Sequence, residues 1–420
     1  MAVRHVDYLI VGGGAAGFSC ARALRESGCG GSILLVSRDP DPPYDRTHCS
    51  KGYLLGRTSR ADAVLGDAGW WSGHDVDLLT RTSAMSLDAG TREVMLSSKE
   101  VVRFGKLLIA TGANVRRLRI PGAELEGVHY LRTLANADAI REAAIDAEQV
   151  AIVGGSYIAT EVAASLTEMG VRCTLVMQEG WTLERSFGRQ AGRFFQDVLQ
   201  AKGIGVRARD EVVSFEGADG RVSAVVTGGG ERLPADAVVV GAGVIPNVTL
   251  AQRAGLELGP GGGVKTDAGL ATSAAEVFAA GDMCELASVV HGEPVRIEHW
   301  DVAEQQGRTA ARAMLGDSRP HEVVPYFFSD LSDWVSLEYV GAARRWDEEI
   351  VRGTLSEGSF TIWYLDGGRV TAALSVGRSQ DLELARVLIV ARTDVTDWRR
   401  ALSDPDSDLG ADRLGSLGTA

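Results

Sequence analysis

Short apolar runs that end in glycine-rich turns recur along the chain, and the first lies close to its beginning. Residues Tyr8–Val11 are largely apolar and are followed by Gly12, Gly14 and Gly17, in G-x-G-x-x-G spacing. A continuous apolar run of this length is typical of a parallel strand that is buried on both faces. The segment that follows contains no proline and has a helical pattern. We therefore expect a strand, a tight turn and a helix over residues 6–24.

The spacing of these glycines is that of a dinucleotide-binding turn. Gly12 allows the chain to turn sharply, Gly14 lets backbone N–H groups approach a pyrophosphate, and Gly17 lets the helix pack close to the strand. Ala15 and Ala16 would begin the helix, whose amino end favours negative charge. The strand before and the helix after supply the context that the motif requires, so the segment predicts a first dinucleotide site.

The same pattern returns between Val150 and Leu166, with an apolar strand, Gly154, Ser156 and Ala159 in the same spacing, and a helix. Alanine is tolerated as the third member of the motif. Ser156 stands where the backbone approaches the pyrophosphate, so we expect weaker binding of the second nucleotide. Two such segments in one chain indicate two dinucleotides, with FAD in the first and a nicotinamide nucleotide in the second.

A ribose contact is expected just after the strand that follows each helix. Asp39 follows the strand Ser32–Val36 at the distance where a Rossmann fold places an acid for the ribose hydroxyls. In the second copy, Thr174–Met177 ends without an acid, and Glu179 comes two residues later. No arginine stands in this place in the sequence, so we expect NADH to be preferred and NADPH to act as a second donor.

The pattern changes after Pro325, where antiparallel-type strands replace the glycine turns. Asp366–Gly367–Gly368 is typical of a hairpin turn between two such strands. A helix is expected over Leu382–Ala391. The last residues, 403–420, are polar and dotted with glycine, and are predicted to be disordered.

Composition narrows the function classes. The net charge is −13, which argues against nucleic acid or an anionic membrane as the main partner. No apolar run approaches the ~20 residues that span a bilayer, and the first strand begins close to Met1, so no signal or transit peptide is expected. The 5 cysteines are odd in number and contain no C-x-x-C, so neither a disulfide framework nor a metal site is expected, and a reducing cytoplasm is the predicted location.

The segment Pro43–Leu55, PYDRTHCSKGYLL, carries a family resemblance. It is similar to PYDRPPLSKAYL of the FAD-dependent NAD(P)H:ferredoxin reductases that serve oxygenases and cytochromes P450, which are putidaredoxin reductase-like and related to the apoptosis-inducing-factor group. The resemblance implies that Lys51 lies near flavin N5, where a positive charge stabilises the anion formed by hydride arrival. The chain departs from the family at His48 and Cys49, which puts a thiol near the expected flavin face.

Further segments match the family in order. Glu161 matches the glutamate of Y-I-G-x-E-V and is expected to pair with Lys51. Val277–Asp282 resembles the third flavin signature, Glu298–Trp300 resembles E-H-W, and Tyr326–Asp330 stands in place of W-F-W-S-D. The resemblance implies that Lys51, Glu161 and Trp300 are catalytic. Besides these three and the residues already named, the expected cofactor contacts are Arg46, Thr111, Gly112, Gly155, Tyr157, Ile158, Gly243, Gly281 and Asp282.

The fold implied is α/β, with two Rossmann-like dinucleotide-binding domains in a glutathione-reductase-like arrangement and a small α+β C-terminal domain. The expected boundaries are 1–115 with 245–320 for FAD, 116–244 for NAD(P)H, and 321–402 for the C-terminal domain. The function implied is hydride transfer from NAD(P)H to FAD, then single-electron transfer to a ferredoxin-type [2Fe-2S] protein. Either a monomer or a homodimer is expected.

Two alternatives stay open at this point. One keeps the flavin but passes electrons to oxygen, peroxide or a disulfide, with Cys49 as the only thiol near the flavin. Related disulfide reductases use a C-x₄-C pair near the flavin, and this chain has none. The other is an NADH-responsive redox protein of the apoptosis-inducing-factor type, whose nucleotide changes its partners rather than driving turnover.

Overall fold

The computed structural model describes residues 3–409, which divide into two compact units. The first unit comprises the described residues up to Asp45, Arg60–Asn114 and Ile245–Phe327; the second comprises Arg46–Ser59, Val115–Val244 and the described residues from Phe328 onward. None of the helices described is long and apolar enough to cross a membrane.

The strands, in chain order, are β1 (Val3–Val11), β2 (Ile33–Val36), β3 (Val76–Leu79), β4 (Ala84–Asp88), β5 (Glu93–Leu96), β6 (Val101–Ile109), β7 (Ala113–Val115), β8 (Val128–Tyr130), β9 (Gln149–Val153), β10 (Arg172–Met177), β11 (Gly205–Ala208), β12 (Val212–Ala218), β13 (Arg221–Thr227), β14 (Arg232–Pro234), β15 (Ala237–Val240), β16 (Val244–Pro246), β17 (Val264–Thr266), β18 (Val277–Ala279), β19 (Cys284–Ala287), β20 (Pro294–Val295), β21 (Tyr326–Leu331), β22 (Val335–Gly341), β23 (Glu348–Thr354), β24 (Ser359–Asp366) and β25 (Arg369–Val376). The helices are α1 (Ala15–Glu26), α2 (Arg60–Ala63), α3 (Ala68–Gly73), α4 (Leu134–Ile145), α5 (Tyr157–Glu168), α6 (Glu184–Ala201), α7 (Thr249–Arg253), α8 (Trp300–Met314), α9 (Asp381–Ala391) and α10 (Arg399–Ser403).

The first unit is built on a seven-stranded sheet in the order β3-β2-β1-β6-β5-β4, with β18 also paired to β6. The pairs of β1 with β2 and β6, and of β18 with β6, are parallel, and the apolar ends of β1 and β6, residues 9–11 and 107–109, are buried. Helices α1 and α8 approach closely, since a Cβ on Gly307 would lie 2.3 Å from the carbonyl oxygen of Ala16. The sheet thus presents the first glycine turn at the carboxyl end of β1.

The second unit repeats this architecture in a five-stranded parallel sheet, ordered β11-β10-β9-β15-β8. Strand β9 leads into the second glycine turn and α5, and β10 and β11 follow on one side. An antiparallel sheet, β12-β13-β14, is inserted before β15 and closes a small apolar core around Phe215, Val222 and Val225. The two sheets, the first mixed and the second parallel, confirm the α/β fold with two dinucleotide-binding halves.

The C-terminal residues form a further sheet, ordered β21-β22-β25-β24-β23, whose pairs of β22–β25, β25–β24 and β24–β23 are antiparallel. The predicted hairpin is present: β24 ends at Asp366, and Gly367 and Gly368 have φ of 58° and 76° before β25 begins. Both positions lie in the left-handed region that glycine adopts at little cost. The predicted helix is α9.

The predicted disordered tail, 403–420, is described only to residue 409, and its remainder lies outside the described residues. Arg352 is 3% exposed and lies on β23. Its guanidinium donates to the carbonyl oxygens of Ala401 at 3.0 Å, Asp404, and Ser407 at 2.8 Å. One buried side chain therefore holds the first residues of this segment against the C-terminal sheet.

Candidate functional site

The first glycine turn joins β1 to α1 with the geometry of a phosphate cradle. Gly12 has φ of +128°, and a Cβ on Gly17 would lie 1.9 Å from the carbonyl oxygen of Gly12. At Gly14, the N-cap of α1, a Cβ would meet no described atom within 4 Å, and no side chain caps the helix. Uncapped N–H groups at a helix amino end attract an anion, so this turn fits the pyrophosphate of FAD.

Three further predicted contacts lie in the first unit. The Thr111 hydroxyl donates to the Asn247 carbonyl oxygen at 2.7 Å, and the Asn247 N–H donates to the Gly112 carbonyl oxygen at 2.8 Å. This exchange closes the loop after β6. Asp39 accepts from the Tyr44 hydroxyl at 2.9 Å, which fixes the direction of the carboxylate at the end of β2.

The remaining predicted site residues of the first unit lie between the end of β18 and the start of α8. Gly281 has φ of +81°, and its N–H donates to the side chain of buried Gln306 at 2.8 Å. The Asp282 carbonyl oxygen accepts from Arg296 at 3.1 Å. Trp300 is the first residue of α8 and is half-buried, and His299 is its N-cap. Burial lowers the pKa of His299 to about 4, although the nearby Asp282 carboxylate opposes the shift.

The second glycine turn joins β9 to α5 with the same construction. Gly154 has φ of +115°, and a Cβ there would lie 2.5 Å from the Gly241 carbonyl oxygen. A Cβ on Gly155 would lie 2.3 Å from the Met177 sulfur, so the strand β10 packs directly under the turn. Gly241 in turn faces Ala159, the third member of the motif, since a Cβ on Gly241 would lie 3.1 Å from that of Ala159.

The mouth of this turn is open at the amino end of α5. Ser156 is its N-cap and is exposed, and no described side chain caps the helix. Tyr157 is half-buried and Ile158 is 39% exposed. Gly243, with φ of +85°, lies in the same unit, where its carbonyl oxygen accepts from the Arg116 N–H at 2.9 Å.

The loop after β10 brings two arginines close to Glu179. Glu179 pairs with Arg185 at 2.5 Å, and the Glu179 carbonyl oxygen accepts from the Arg209 N–H at 2.9 Å. A Cβ on Gly180 would lie 3.4 Å from the Arg209 side chain. An arginine that is distant in sequence therefore lies beside this tip in the structure. Arg209 arrives from the end of the neighbouring strand β11, which the local sequence around Glu179 does not show.

Lys51 and Glu161 lie together in the second unit. The Lys51 Nζ is 3.4 Å from the Glu161 Oε1, and their side chains are 17% and 6% exposed. A second carboxylate, Asp330, lies 3.2 Å from the same nitrogen and is 34% exposed. The Phe328 ring lies under the ammonium, with its centroid 4.6 Å from Nζ, in cation–π geometry.

Two serines hold the Glu161 carboxylate. The Ser50 hydroxyl donates to one oxygen and the Ser329 hydroxyl donates to the other, each at 2.5 Å. Ser165 donates to the Ser50 carbonyl oxygen at 2.8 Å, which fixes that serine in turn. A carboxylate whose side chain is only 6% exposed would be costly without such partners, and hydrogen bonds to a charged acceptor are the stronger kind.

The segment Pro43–Leu55 contains two other residues singled out from the sequence, Arg46 and Cys49. Arg46 begins a short 3₁₀ turn, Arg46–Ser50, and donates to the Arg132 carbonyl oxygen at 2.6 Å. Cys49 lies on the same turn and is 3% exposed. All 5 cysteines lie within the described residues, and none of them forms a disulfide there.

Sequence reasoning did not select Ser50, Ser329 and Asp330 as site residues. Serine is usually exposed, so Ser50 and Ser329 carry little signal by themselves. Asp330 lies 279 residues from its partner Lys51. The match of Tyr326–Asp330 to a family segment was the one signal available for Asp330.

The comparisons with known proteins agree with this geometry. Residues 6–307 match the family described as Pyridine nucleotide-disulphide oxidoreductase, and residues 326–411 match Reductase C-terminal. The 5,5'-dehydrodivanillate O-demethylase ferredoxin reductase subunit of a Sphingobium species is 35% identical over 96% of this chain and 98% of its own.

Solved structures give the same result. The ferredoxin reductase for the CYP199A2 system from Rhodopseudomonas palustris has a TM-score of 0.90 and 32% identity, covering 96% of this chain and 98% of its own. The reductase in the covalent putidaredoxin reductase–putidaredoxin complex has a TM-score of 0.92 and 30% identity, covering 99% of each chain. The chain therefore belongs to the pyridine nucleotide-disulphide oxidoreductases, among the FAD-dependent NAD(P)H:ferredoxin reductases that carry a reductase C-terminal domain.

Proposed function

We propose that this chain is the reductase component of an oxygenase or cytochrome P450 system, with NADH as the preferred donor and a [2Fe-2S] ferredoxin as acceptor. The observation that carries the proposal is the presence of two dinucleotide turns of the same construction, one after β1 and one after β9. Such a pair of turns would bind a flavin and a donor nucleotide. Two relatives named above, the ferredoxin reductase subunit of an O-demethylase and the reductase in a covalent complex with putidaredoxin, support the choice of acceptor.

The chain's residues would neutralise the charge of the FAD pyrophosphate and orient the nucleotide. When bound, FAD accepts a hydride and releases electrons one at a time, and that chemistry belongs to the flavin. The uncapped amino end of α1 would neutralise the pyrophosphate, and Asp39, fixed by Tyr44, would accept from ribose hydroxyls. The residues proposed to hold FAD are Gly12, Gly14, Ala15, Ala16, Gly17, Asp39, Arg46, Thr111, Gly112, Gly281 and Asp282, with Trp300 as a catalytic neighbour of the ring.

The nicotinamide nucleotide is proposed to bind the second unit. The uncapped amino end of α5 would meet its pyrophosphate, and Glu179 would accept from the adenosine ribose hydroxyls. Its ion pair with Arg185 leaves the carboxylate oriented but partly neutralised. The residues proposed to hold this nucleotide are Gly154, Gly155, Ser156, Tyr157, Ile158, Glu161, Glu179 and Gly243.

Lys51 and Glu161 are proposed to supply the charge that hydride transfer needs. Reduction places negative charge on the flavin ring, and an ammonium near that ring stabilises it. Glu161, held by Ser50 and Ser329, keeps a counter-charge beside the ammonium, so that the lysine is not left alone in a largely buried place.

The setting proposed for this activity is the cytoplasm, where cysteines that form no disulfide in the described residues would stay reduced. The acceptor and the electron donor are the only partners proposed, apart from a second copy of the chain if the protein is a homodimer. An acidic chain of this charge is not suited to nucleic acid or to an anionic membrane.

Stopped-flow spectroscopy tests the proposal. The purified holoenzyme is mixed with NADH or NADPH, and its reoxidation is then followed with a panel of [2Fe-2S] ferredoxins. Fast reduction by NADH followed by ferredoxin-dependent turnover is expected. NADH consumption that depends on peroxide or on a disulfide would replace the proposal with an oxidase or Cys49-based reductase. Slow reduction that ends in a long-lived charge-transfer complex would indicate an NADH-responsive binding protein.

A further inference from the structure

The Lys51 ammonium has two carboxylates within ion-pair distance, but their surroundings differ. Nζ donates a hydrogen bond to the Asp330 Oδ2 at 3.2 Å, whereas the Glu161 Oε1 lies at 3.4 Å. Both oxygens of Glu161 already accept from serine hydroxyls at 2.5 Å. Glu161 is therefore fixed by groups other than Lys51, and Asp330 is the carboxylate that takes the lysine's hydrogen bond.

Strand β21 organises this arrangement by its two-residue alternation. Phe328 and Asp330 share one face of the strand, and both contact Lys51 through a ring and a carboxylate. Ser329 points to the opposite face and donates to Glu161. Three consecutive residues of one strand thus place the ammonium and the buried carboxylate beside each other.

A serine hydroxyl also holds the Asp330 carboxylate. Its second oxygen accepts from the Ser336 hydroxyl at 2.6 Å, across the turn between β21 and β22. A carboxylate held at one oxygen and paired at the other presents a fixed direction to its cation. Its side chain is 34% exposed, so the pair with Lys51 lies partly in solvent while the Glu161 pair is buried.

We infer that Asp330 is a positioning residue for Lys51: it fixes where the ammonium stands, while Glu161 supplies a buried negative charge whose orientation does not depend on the lysine. The ammonium is then held from three sides, by Asp330, by Glu161 and by the Phe328 ring. The consequence for hydride transfer rests on the proposed function of Lys51, but the positioning itself does not.

The experiment separates these two statements by measuring both in the same variants. Acylation of Lys51 in the native holoenzyme, followed by peptide mass spectrometry, reports how firmly its nitrogen is held, with exposed Lys265 as the internal reference. Single-turnover reduction of the enzyme-bound FAD by NADH reports the function. The variants are Asp330→Asn, Asp330→Glu, Glu161→Gln and Asp366→Asn, an acid on β24 of the same sheet that pairs with Arg345.

Asp330→Asn is expected to raise the acylation rate of Lys51 by about fivefold, the scale of losing one partly exposed ion pair. It should also slow FAD reduction by a similar factor with little change in KM for NADH. Asp330→Glu should restore most of both, and Asp366→Asn should change neither. Glu161→Gln, which leaves the Asp330 hydrogen bond in place, should change acylation less than Asp330→Asn does.

Unchanged acylation in Asp330→Asn, or a larger rise in Glu161→Gln, would overturn the positioning role. Faster acylation with an unchanged reduction rate would leave Asp330 as the anchor of Lys51 and would instead overturn the part of the proposed function that assigns hydride transfer to this lysine. A variant that loses FAD is identified by its absorbance spectrum. The acylation rate of its Lys51 is then compared only with that of Lys265 in the same protein.

Discussion

Ser156 begins α5 with nearly the same backbone conformation that Gly14 has at the start of α1. The torsions are φ −94° and ψ −174° at Ser156, and φ −93° and ψ −169° at Gly14. Both lie in the extended region that any residue adopts, so neither position requires glycine for its own conformation. The two turns differ by the hydroxymethyl side chain of Ser156, which is exposed at the start of α5.

This equivalence predicts that restoring the glycine strengthens nucleotide binding. Ser156→Gly should lower KM for NADH by up to about tenfold, because it clears the place that a Cβ on Gly14 would fill in the first turn. Steady-state kinetics and Tm measure it, with Ser156→Ala as the matched variant that keeps the Cβ but loses the hydroxyl. An unchanged KM in Ser156→Gly would show that the serine does not obstruct the nucleotide.

The first glycine turn offers two alanine substitutions with different expected results. Gly14→Ala should leave folding intact, since its Cβ would meet no described atom within 4 Å, yet weaken FAD binding at least about tenfold by filling the place of the pyrophosphate. Gly17→Ala should cost about 1–3 kcal/mol of stability, since its Cβ would lie 1.9 Å from the Gly12 carbonyl oxygen.

FAD titration of the apoprotein and thermal unfolding distinguish the pair. If Gly14→Ala bound FAD as tightly as the natural chain, this turn would not be the pyrophosphate site. If Gly17→Ala kept its full Tm, the close approach of helix and strand would not be needed.

The tip of β10 decides between NADH and NADPH. Glu179→Gln should lower the preference for NADH about tenfold, because it removes a carboxylate that repels a 2′-phosphate and accepts from a ribose hydroxyl. Arg209→Gln should act in the opposite direction, since this arginine flanks Gly180 and is available to a 2′-phosphate. The ratio of kcat/KM for the two donors measures both, and an unchanged ratio in both variants would place the ribose elsewhere.

Stability should depend on pH through His321. It is 5% exposed and bonds Thr309 at 2.9 Å, and burial together with the Arg312 charge lowers its pKa to about 4 from an ordinary 6.5. Because the unfolded chain binds a proton here before the folded one, stability falls as pH drops from about 6.5 to about 4, by up to about 3 kcal/mol. The free energy of unfolding, measured across this pH window, should therefore vary less with pH in His321→Gln. The control is His5→Gln, because His5 is exposed.

The parts of the site that lie within one segment were predictable, and those that depend on distant residues were not. Gly12, Gly14 and Gly17 stand in one short motif whose spacing encodes the turn itself. The anchor of Lys51 comes from Asp330, 279 residues away, and the partners of Glu161 are serines, whose type suggests no buried role. Pairings at such separation are set by topology, so local pattern predicts the elements but not the neighbours that they bring together.

Cys49 should be dispensable for FAD reduction. In related disulfide enzymes the lysine follows the redox cysteine by three residues, whereas Lys51 follows Cys49 by two, which on the 3₁₀ turn Arg46–Ser50 sets the thiol about 120° from the redox position. Cys49 is also 3% exposed, which keeps the thiol from bulky acceptors. Cys49→Ser should therefore retain single-turnover reduction within about twofold, at a cost of about 1 kcal/mol in stability for placing a hydroxyl in a buried site. Cys49→Ala is the matched variant that keeps the site apolar, and stopped-flow reduction with NADH is the measurement. If both variants bound FAD but lost turnover, a single-thiol mechanism would replace ferredoxin reduction as the leading function.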